Sequence, residues 1–190
     1  MSDWWTEEQE KRYLVQEWGV VPDLNHPDIR CLLDYVKPKT KVLELGCNSG
    51  LVLEHLRTQY KCRVRGIDLP SLKHKSTKIY IYGWDLNQGL PSGELRKEYY
   101  GLIFGFSFLE HLYNDWQVLV DVAYSLKKEG IFILSIPGKP DIVPQHIRFY
   151  PEPEFERLMR VAGFRVIEKR KHPDYPDQQN RIFVMVKHDV

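Results

Sequence analysis

Apolar positions along this chain change period near residue 40. Before it the spacing is helical. Thr6 with Gln9 three residues on forms a capping-box pattern, followed by Tyr13, Leu14 and Trp18, with Gly19 as a stop. A second stripe, Ile29, Leu32, Leu33 and Val36, follows Asn25 as candidate cap and Pro27 near the first turn. From Lys41 onward, apolar runs of strand length alternate with helical stripes. The runs are Val42–Leu45, Val64–Ile67, Ile79–Tyr82, Leu102–Phe104 and Ile131–Leu134. One stripe is Trp116, Leu119, Val120 and Ala123, closed by Lys127, Lys128 and Gly130. Another is Phe155, Leu158, Met159 and Ala162, closed by Gly163. This alternation predicts an α/β fold, an open and mostly parallel sheet with helices on both faces. Two runs end the chain, Phe164–Glu168 and Ile182–Val186. The segment between them is too short for a helical crossover, so the C-terminal strand is expected to be antiparallel.

Composition narrows the partners. A chain of 190 residues can bury a full core as one domain with a small appendage. Its 27 basic and 26 acidic side chains nearly cancel, which argues against nucleic acid and against a membrane surface. Cys31, Cys47 and Cys62 form no CxxC pair, neither a disulfide framework nor a zinc site. With a polar, acidic opening and no long apolar run, the expected location is cytoplasmic.

In an open parallel sheet, ligands bind beyond the carboxyl ends of the strands. The first strand ends in Glu44-Leu45-Gly46-Cys47-Asn48-Ser49-Gly50 and leads into a helical stretch, Leu51 to Tyr60. Glycines there allow positive φ and close backbone approach, and the helix start offers N–H groups. The second strand ends in Asp68, placed to accept from ribose hydroxyls. The third leads into Trp84-Asp85-Leu86, an aromatic face and an acceptor for a purine amine. A dinucleotide fingerprint is disfavoured by Asn48 and Leu51, and no P-loop lysine follows.

This E-x-G-x-x-x-G loop with a later acid resembles class I S-adenosylmethionine-dependent methyltransferases, of the small ubiquinone-biosynthesis O-methyltransferase type. The resemblance spans roughly residues 40–187 and also rests on Tyr100-Gly101-Leu102-Ile103, Phe108-Leu109-Glu110-His111-Leu112, Leu126-Lys127-Lys128-Glu129-Gly130-Ile131 and Ala162-Gly163-Phe164. It implies a Rossmann-like sheet and S-adenosylmethionine as methyl donor. Glu44, Gly46, Cys47, Asn48 and Gly50 would hold the methionine end, Asp68 the ribose, and Asp85 with Leu86 the adenine. Leu69 and Trp84 would cover the adenine, because the segment between strands two and three is too short for a full crossover helix. Phe106 and Ser107 would line the wall beside the sulfonium. It also implies that residues 1–38 form a helical lid, with Trp4, Trp5, Tyr13 and Trp18 as candidate clamping rings, over a catalytic domain of residues 39–190.

Methyl transfer from a sulfonium needs alignment first and a base second. His111 after strand four and His146 in the loop after strand five, with Arg148 and Tyr150 nearby, are the candidate acceptor-side groups. Some related O-methyltransferases hold a divalent metal on an E-x-x-E-H motif. Here the first acid is Ser107, one hard oxygen ligand fewer, so a divalent metal is kept only as the minority reading. The expectation is methyl transfer to a small-molecule acceptor, favouring a hydroxyl. The rival is a catalytically silent relative that binds S-adenosylmethionine or a protein partner.

Overall fold

Pro27 opens helix α1 (Pro27–Tyr35), where its fixed φ suits the first turn and its missing N–H costs nothing. The computed structural model describes residues 23–70, 79–138, 146–171 and 181–188. The expected Thr6–Gly19 helix and the rings of Trp4, Trp5, Tyr13 and Trp18 lie outside them. His26, not Asn25, occupies the cap position of α1, and no side chain caps that turn.

The chain continues through β1 (Lys41–Leu45), α2 (Leu51–Gln59), β2 (Arg63–Asp68), β3 (Ile81–Gly83) and β4 (Tyr100–Phe106). Then come α3 (Asp115–Ser125), β5 (Leu126–Ile136), α4 (Glu152–Val161), β6 (Phe164–Lys171) and β7 (Arg181–Lys187). The strands form one sheet in the order β3-β2-β1-β4-β5-β7-β6. From β3 to β5 every neighbouring pair is parallel, and β7 runs antiparallel to both β5 and β6. The order reverses between β1 and β4, which opens a crevice at their carboxyl ends.

Strand alternation sends neighbouring residues to opposite faces. Val42, Leu102, Phe104 and Ile133 join Cys31, Leu32, Leu53 and Leu56 from α1 and α2. Leu43, Leu45, Ile103, Phe132 and Leu134 join Val118, Leu119, Val122, Phe155 and Met159 from α3 and α4. Covering both faces explains why these strands read as continuous apolar runs. At the outer edge, β6 carries Lys169 against Glu152 (2.6 Å) and Glu156 (2.8 Å), and Arg170 against Glu168 (2.7 Å) and Asp34 (2.8 Å). Such charge along a strand edge discourages pairing with another chain.

Three expectations shift. The third strand starts at Ile81 rather than Ile79. Lys127, Lys128 and Gly130 do not end a helix. α3 stops at Ser125 and runs straight into β5, where a register irregularity absorbs Glu129 at a φ of 58°. The third concerns rotation: Trp116 and Val120 face solvent, while Val118, Leu119 and Val122 are buried. Two acids set that rotation. Asp121 accepts from the Leu90 N–H at 2.8 Å, and Asp115 accepts from the Tyr150 hydroxyl at 2.9 Å, so both turn inward.

Candidate active site

Beyond β1 the backbone requires glycine. Gly46 has a φ of 69°, and a Cβ there would sit 2.8 Å from the Cβ of Phe108. The Gly46 and Cys47 N–H groups both donate to the Ile67 carbonyl, at 2.9 and 3.2 Å, hooking the loop over the end of β2. Asn48 takes a φ of 45° and donates its N–H to Asp68 Oδ2, while the Leu69 N–H donates to Oδ1 at 2.7 Å. Gly50 has a φ of 73° and occupies the cap position of α2; a Cβ there would meet Ile79 Cδ1 at 2.3 Å. The loop after β1 and the acid that ends β2 are therefore one hydrogen-bonded unit.

Glu44 alternates onto the α1–α2 side of the sheet and is buried. Its Oε2 has no hydrogen-bond partner. Burial first, and the Asp68 carboxylate second, push its carboxyl well above the ordinary carboxylate range. A buried acid with an unused oxygen fits a cationic ligand group, as the ammonium of S-adenosylmethionine is. The donor set of this loop is therefore compatible with that ligand. Burial likewise pushes the Cys47 thiol well up, with Glu44 and Asp68 adding to it, so Cys47 acts as a small neutral side chain.

Trp84 and Asp85 follow β3, where the Trp84 N–H donates to the Asp68 carbonyl at 2.7 Å. Asp85 Oδ1 accepts from the Asn87 backbone and side chain, both at 2.9 Å, and so caps the short turn Leu86–Gln88. The Trp84 indole donates to the Gly89 carbonyl at 3.0 Å, and Leu86 is buried in the α3 cluster. These three residues build the wall beside Asp68, and Leu86 offers no exposed side chain to a ligand.

The other wall comes from β4 and β5. Phe106 packs against Phe104, with ring centroids 5.2 Å apart. Ser107 turns the chain at a φ of 47°, and its N–H donates to the Ser135 carbonyl (3.1 Å) and hydroxyl (3.2 Å). Ser135 Oγ donates in turn to Asp28 Oδ2 at 3.0 Å, which ties the first turn of α1 to these strand ends. His26 Nδ1 lies 3.9 Å from the same oxygen. Sequence reasoning passed over Asp28, because an acid in a first turn reads as an ordinary dipole partner.

Past Ser107, a short turn, Leu109–His111, carries the fully buried Glu110. Its carbonyl accepts from the N–H groups of Ile147 (3.0 Å) and Arg148 (3.2 Å), zipping the loop after β5 onto this turn. The two histidines expected on the acceptor side thereby meet, with ring centroids 4.8 Å apart, and His146 Nε2 is 3.9 Å from Glu110 Oε1. Ligand-type atoms of Glu110, His111 and His146 all lie within 4.8 Å of one another, a carboxylate–imidazole set with the chemistry to hold a divalent metal. Arg148 and Tyr150 brace the loop instead. Arg148 donates to the carbonyls of Leu112 (3.0 Å) and Tyr113 (2.7 Å), and Tyr150 donates to Asp115. Burial and then Asp115 push the Tyr150 hydroxyl far up, so it stays protonated.

Residues 21–169 match the family described as Methyltransferase domain. The ubiquinone biosynthesis O-methyltransferase of Rickettsia typhi is 23% identical over 143 residues, covering 70% of this chain and 55% of that protein. The chain thus spans about half the length of such curated relatives. A chain from the Haloferax volcanii complex between the Trm112 methyltransferase activator and a methyltransferase superposes with a TM-score of 0.74 at 16% identity, covering 96% of this chain and 95% of that one. Haemonchus contortus phosphoethanolamine N-methyltransferase 2, solved with S-adenosyl-L-methionine, gives 0.72 at 12% identity over 98% of this chain and 58% of its own. Among the described residues, no helix is long and apolar enough to cross a membrane. With the strand-end loop, its acid partner and the reversed strand order in place, this chain belongs to the class I S-adenosylmethionine-dependent methyltransferases.

Proposed function

We propose that the chain transfers the methyl group of S-adenosylmethionine to a hydroxyl of a small-molecule acceptor, with His111 and His146 on the acceptor side. The observation that carries this reading is the convergence of the two histidines, from separate elements, on buried Glu110 beyond β4. The ligand supplies an electrophilic methyl on sulfonium. Glu44 and the Gly46–Gly50 backbone hold its methionine end, Asp68 its ribose, and the Trp84–Asp85 wall its base. Phe106 and Ser107 flank the reacting centre. One imidazole, oriented by Glu110, takes the hydroxyl proton as the acceptor oxygen attacks. Within the segment expected as a cover, residues 1–38, α1 packs onto the sheet through Cys31 and Leu32 and supports the strand ends through Asp28. The silent-relative reading is disfavoured because Glu44, Asp68 and both loop glycines are intact and assembled.

The test is transfer from methyl-labelled S-adenosylmethionine to catechol-type hydroxyl probes and to primary amine probes, with and without EDTA. Product on the hydroxyl probe, lost at least about 100-fold in His146→Ala, supports the reading. Product on amines alone, or none with tight donor binding, overturns it. Transfer that EDTA abolishes and zinc or magnesium restores reassigns Glu110, His111 and His146 to a metal.

A further inference from the structure

The near balance of charge over the whole chain hides a local excess. At the amino end of the sheet, away from the donor loop, β1 and β2 begin with cations. Lys41 pairs in register with Arg63, and Leu43 with Arg65. Strand alternation puts Lys41, Arg63 and Arg65 on the same face as Leu43, Leu45 and Ile67, the α3–α4 side. Further along, that face is core, but at this end it is open. The connection from β3 to β4 carries no α-helix, only the short turn Leu86–Gln88, and Arg63, Arg65, Tyr80 and Arg96 are all exposed. Aromatic rings hold the cations in place. Lys41 Nζ lies 3.5 Å from the centroid of Tyr99 and the Arg96 guanidinium 4.7 Å from the same ring, while that of Arg65 lies 4.9 Å from the Tyr80 centroid. Glu94, 3.7 Å from Arg65, is buried and accepts from the Tyr100 hydroxyl, so it offsets one charge. Among the described residues, no carboxylate pairs with Lys41, Arg63 or Arg96. On the β6 edge, by contrast, Lys169 and Arg170 each face carboxylates.

Charge and ring together select the partner. Cations gathered without carboxylates fit a ligand that brings several negative charges, and three of the four are arginines, whose planar forks match phosphate oxygens. Exposed rings among them fit a ligand that also offers flat faces. Tyr80 is 51% exposed, and Tyr80, Tyr82 and Trp84 follow one another edge to edge, with centroids 6.1 Å apart at each step. A nucleic-acid single strand supplies both, phosphates for the cations and unstacked bases for the rings. An acidic peptide would use the cations and leave the rings idle, and a duplex keeps its bases stacked on each other. We propose that the amino-end face of β1–β3 binds single-stranded nucleic acid, with phosphates on Lys41, Arg63, Arg65 and Arg96 and a base on Tyr80. The row of rings ends at Trp84 in the wall beside Asp68, so it leads from the basic end toward the donor crevice. This surface is independent of the acceptor assignment. Whole-chain charge governs long-range recruitment, and the local patch governs contact.

Fluorescence anisotropy of a labelled uridine oligomer of about 12 nucleotides, titrated with the full chain at several salt concentrations, tests this. The expected result is a Kd on the order of 1–10 µM at about 50 mM salt, with log affinity falling linearly as log salt rises. Arg63→Glu and Arg96→Glu are each expected to weaken binding at least about tenfold and to flatten the salt slope. Tyr80→Ala is expected to weaken it at least about fivefold and to leave the slope unchanged, because stacking releases no counterions. Donor affinity by calorimetry stays native in all three, since none touches the donor loop. Arg63→Gln adds no charge and guards against a reversal that disturbs the strand; its expected loss is at least about threefold. No binding of the oligomer at about 100 µM native chain overturns the proposal. Binding indifferent to Arg63 and Arg96 overturns it too, by moving the strand elsewhere. Tyr80→Ala with native affinity, or equal affinity for a duplex or for a polyglutamate peptide of similar length, also overturns it and leaves the patch to another anion.

Discussion

Asp68 accepts from its own binding loop before it meets any ligand. Both carboxylate oxygens take backbone N–H groups, from Asn48 and Leu69. Asp68→Ala is therefore expected to weaken S-adenosylmethionine binding by calorimetry at least about tenfold, through lost ligand contact and a loosened loop together. Glu44→Gln separates charge from shape. Glu44 holds its proton more tightly than an ordinary carboxyl because it is buried beside Asp68. Bringing an ammonium to it favours the carboxylate, so at any pH below the raised folded value binding should release a proton. Calorimetry in two buffers of different ionisation enthalpy is expected to show that release in the native chain and not in Glu44→Gln. Equal release in both would assign the proton elsewhere. These two acids were legible in the sequence, because strand ends in an open sheet are where ligand groups sit. Asp28 and Glu110 were not read as buried, since their burial depends on Ser135 and on the backbone of residues 147–148, far along the chain.

At the scale of elements, the joints matter more than the strands. Gly46 joins β1 to the loop, and a methyl group there meets Phe108 while φ stays positive. Gly46→Ala is expected to cost about 1–3 kcal/mol in urea unfolding and to abolish measurable donor binding. Ser135 joins β5 to α1 through Asp28 and to the turn after β4 through Ser107. Ser135→Ala leaves a buried carboxylate without that donor, for an expected loss of about 1–3 kcal/mol. Native stability in this variant would mean that Asp28 draws its support from other groups. The order and type of the described elements followed from hydrophobic period alone, because strands buried on both faces and amphipathic helices carry strong patterns. The rotation of α3 did not. Trp116, Leu119, Val120 and Ala123 are as well spaced as Val118, Leu119 and Val122, and when both faces are apolar the pattern cannot choose between them. Asp115 and Asp121 chose, by finding N–H and hydroxyl donors beneath the helix.

The whole molecule couples this chemistry to stability. A ligand that binds only the folded chain stabilises it by mass action, by about 2.7 kcal/mol at 100 times its Kd. For a chain of this size that corresponds to a rise in Tm of roughly 5–10 °C. Glu44 makes the rise depend on pH, and the sign can be worked out. Its folded value lies above the unfolded one, so the proton it holds stabilises the donor-free fold at low pH, and that contribution fades as pH climbs toward the folded value. A cationic ligand group offsets the loss, because it prefers the ionised carboxyl. The Tm shift from S-adenosylmethionine is therefore expected to grow as pH rises toward the raised folded value, while Glu44→Gln shows the same shift across that range. Differential scanning calorimetry measures both. A shift of several degrees that ignores pH in the native chain would mean that Glu44 is already ionised before the donor arrives, and the buried oxygen beside Asp68 would then need a cation from the protein itself.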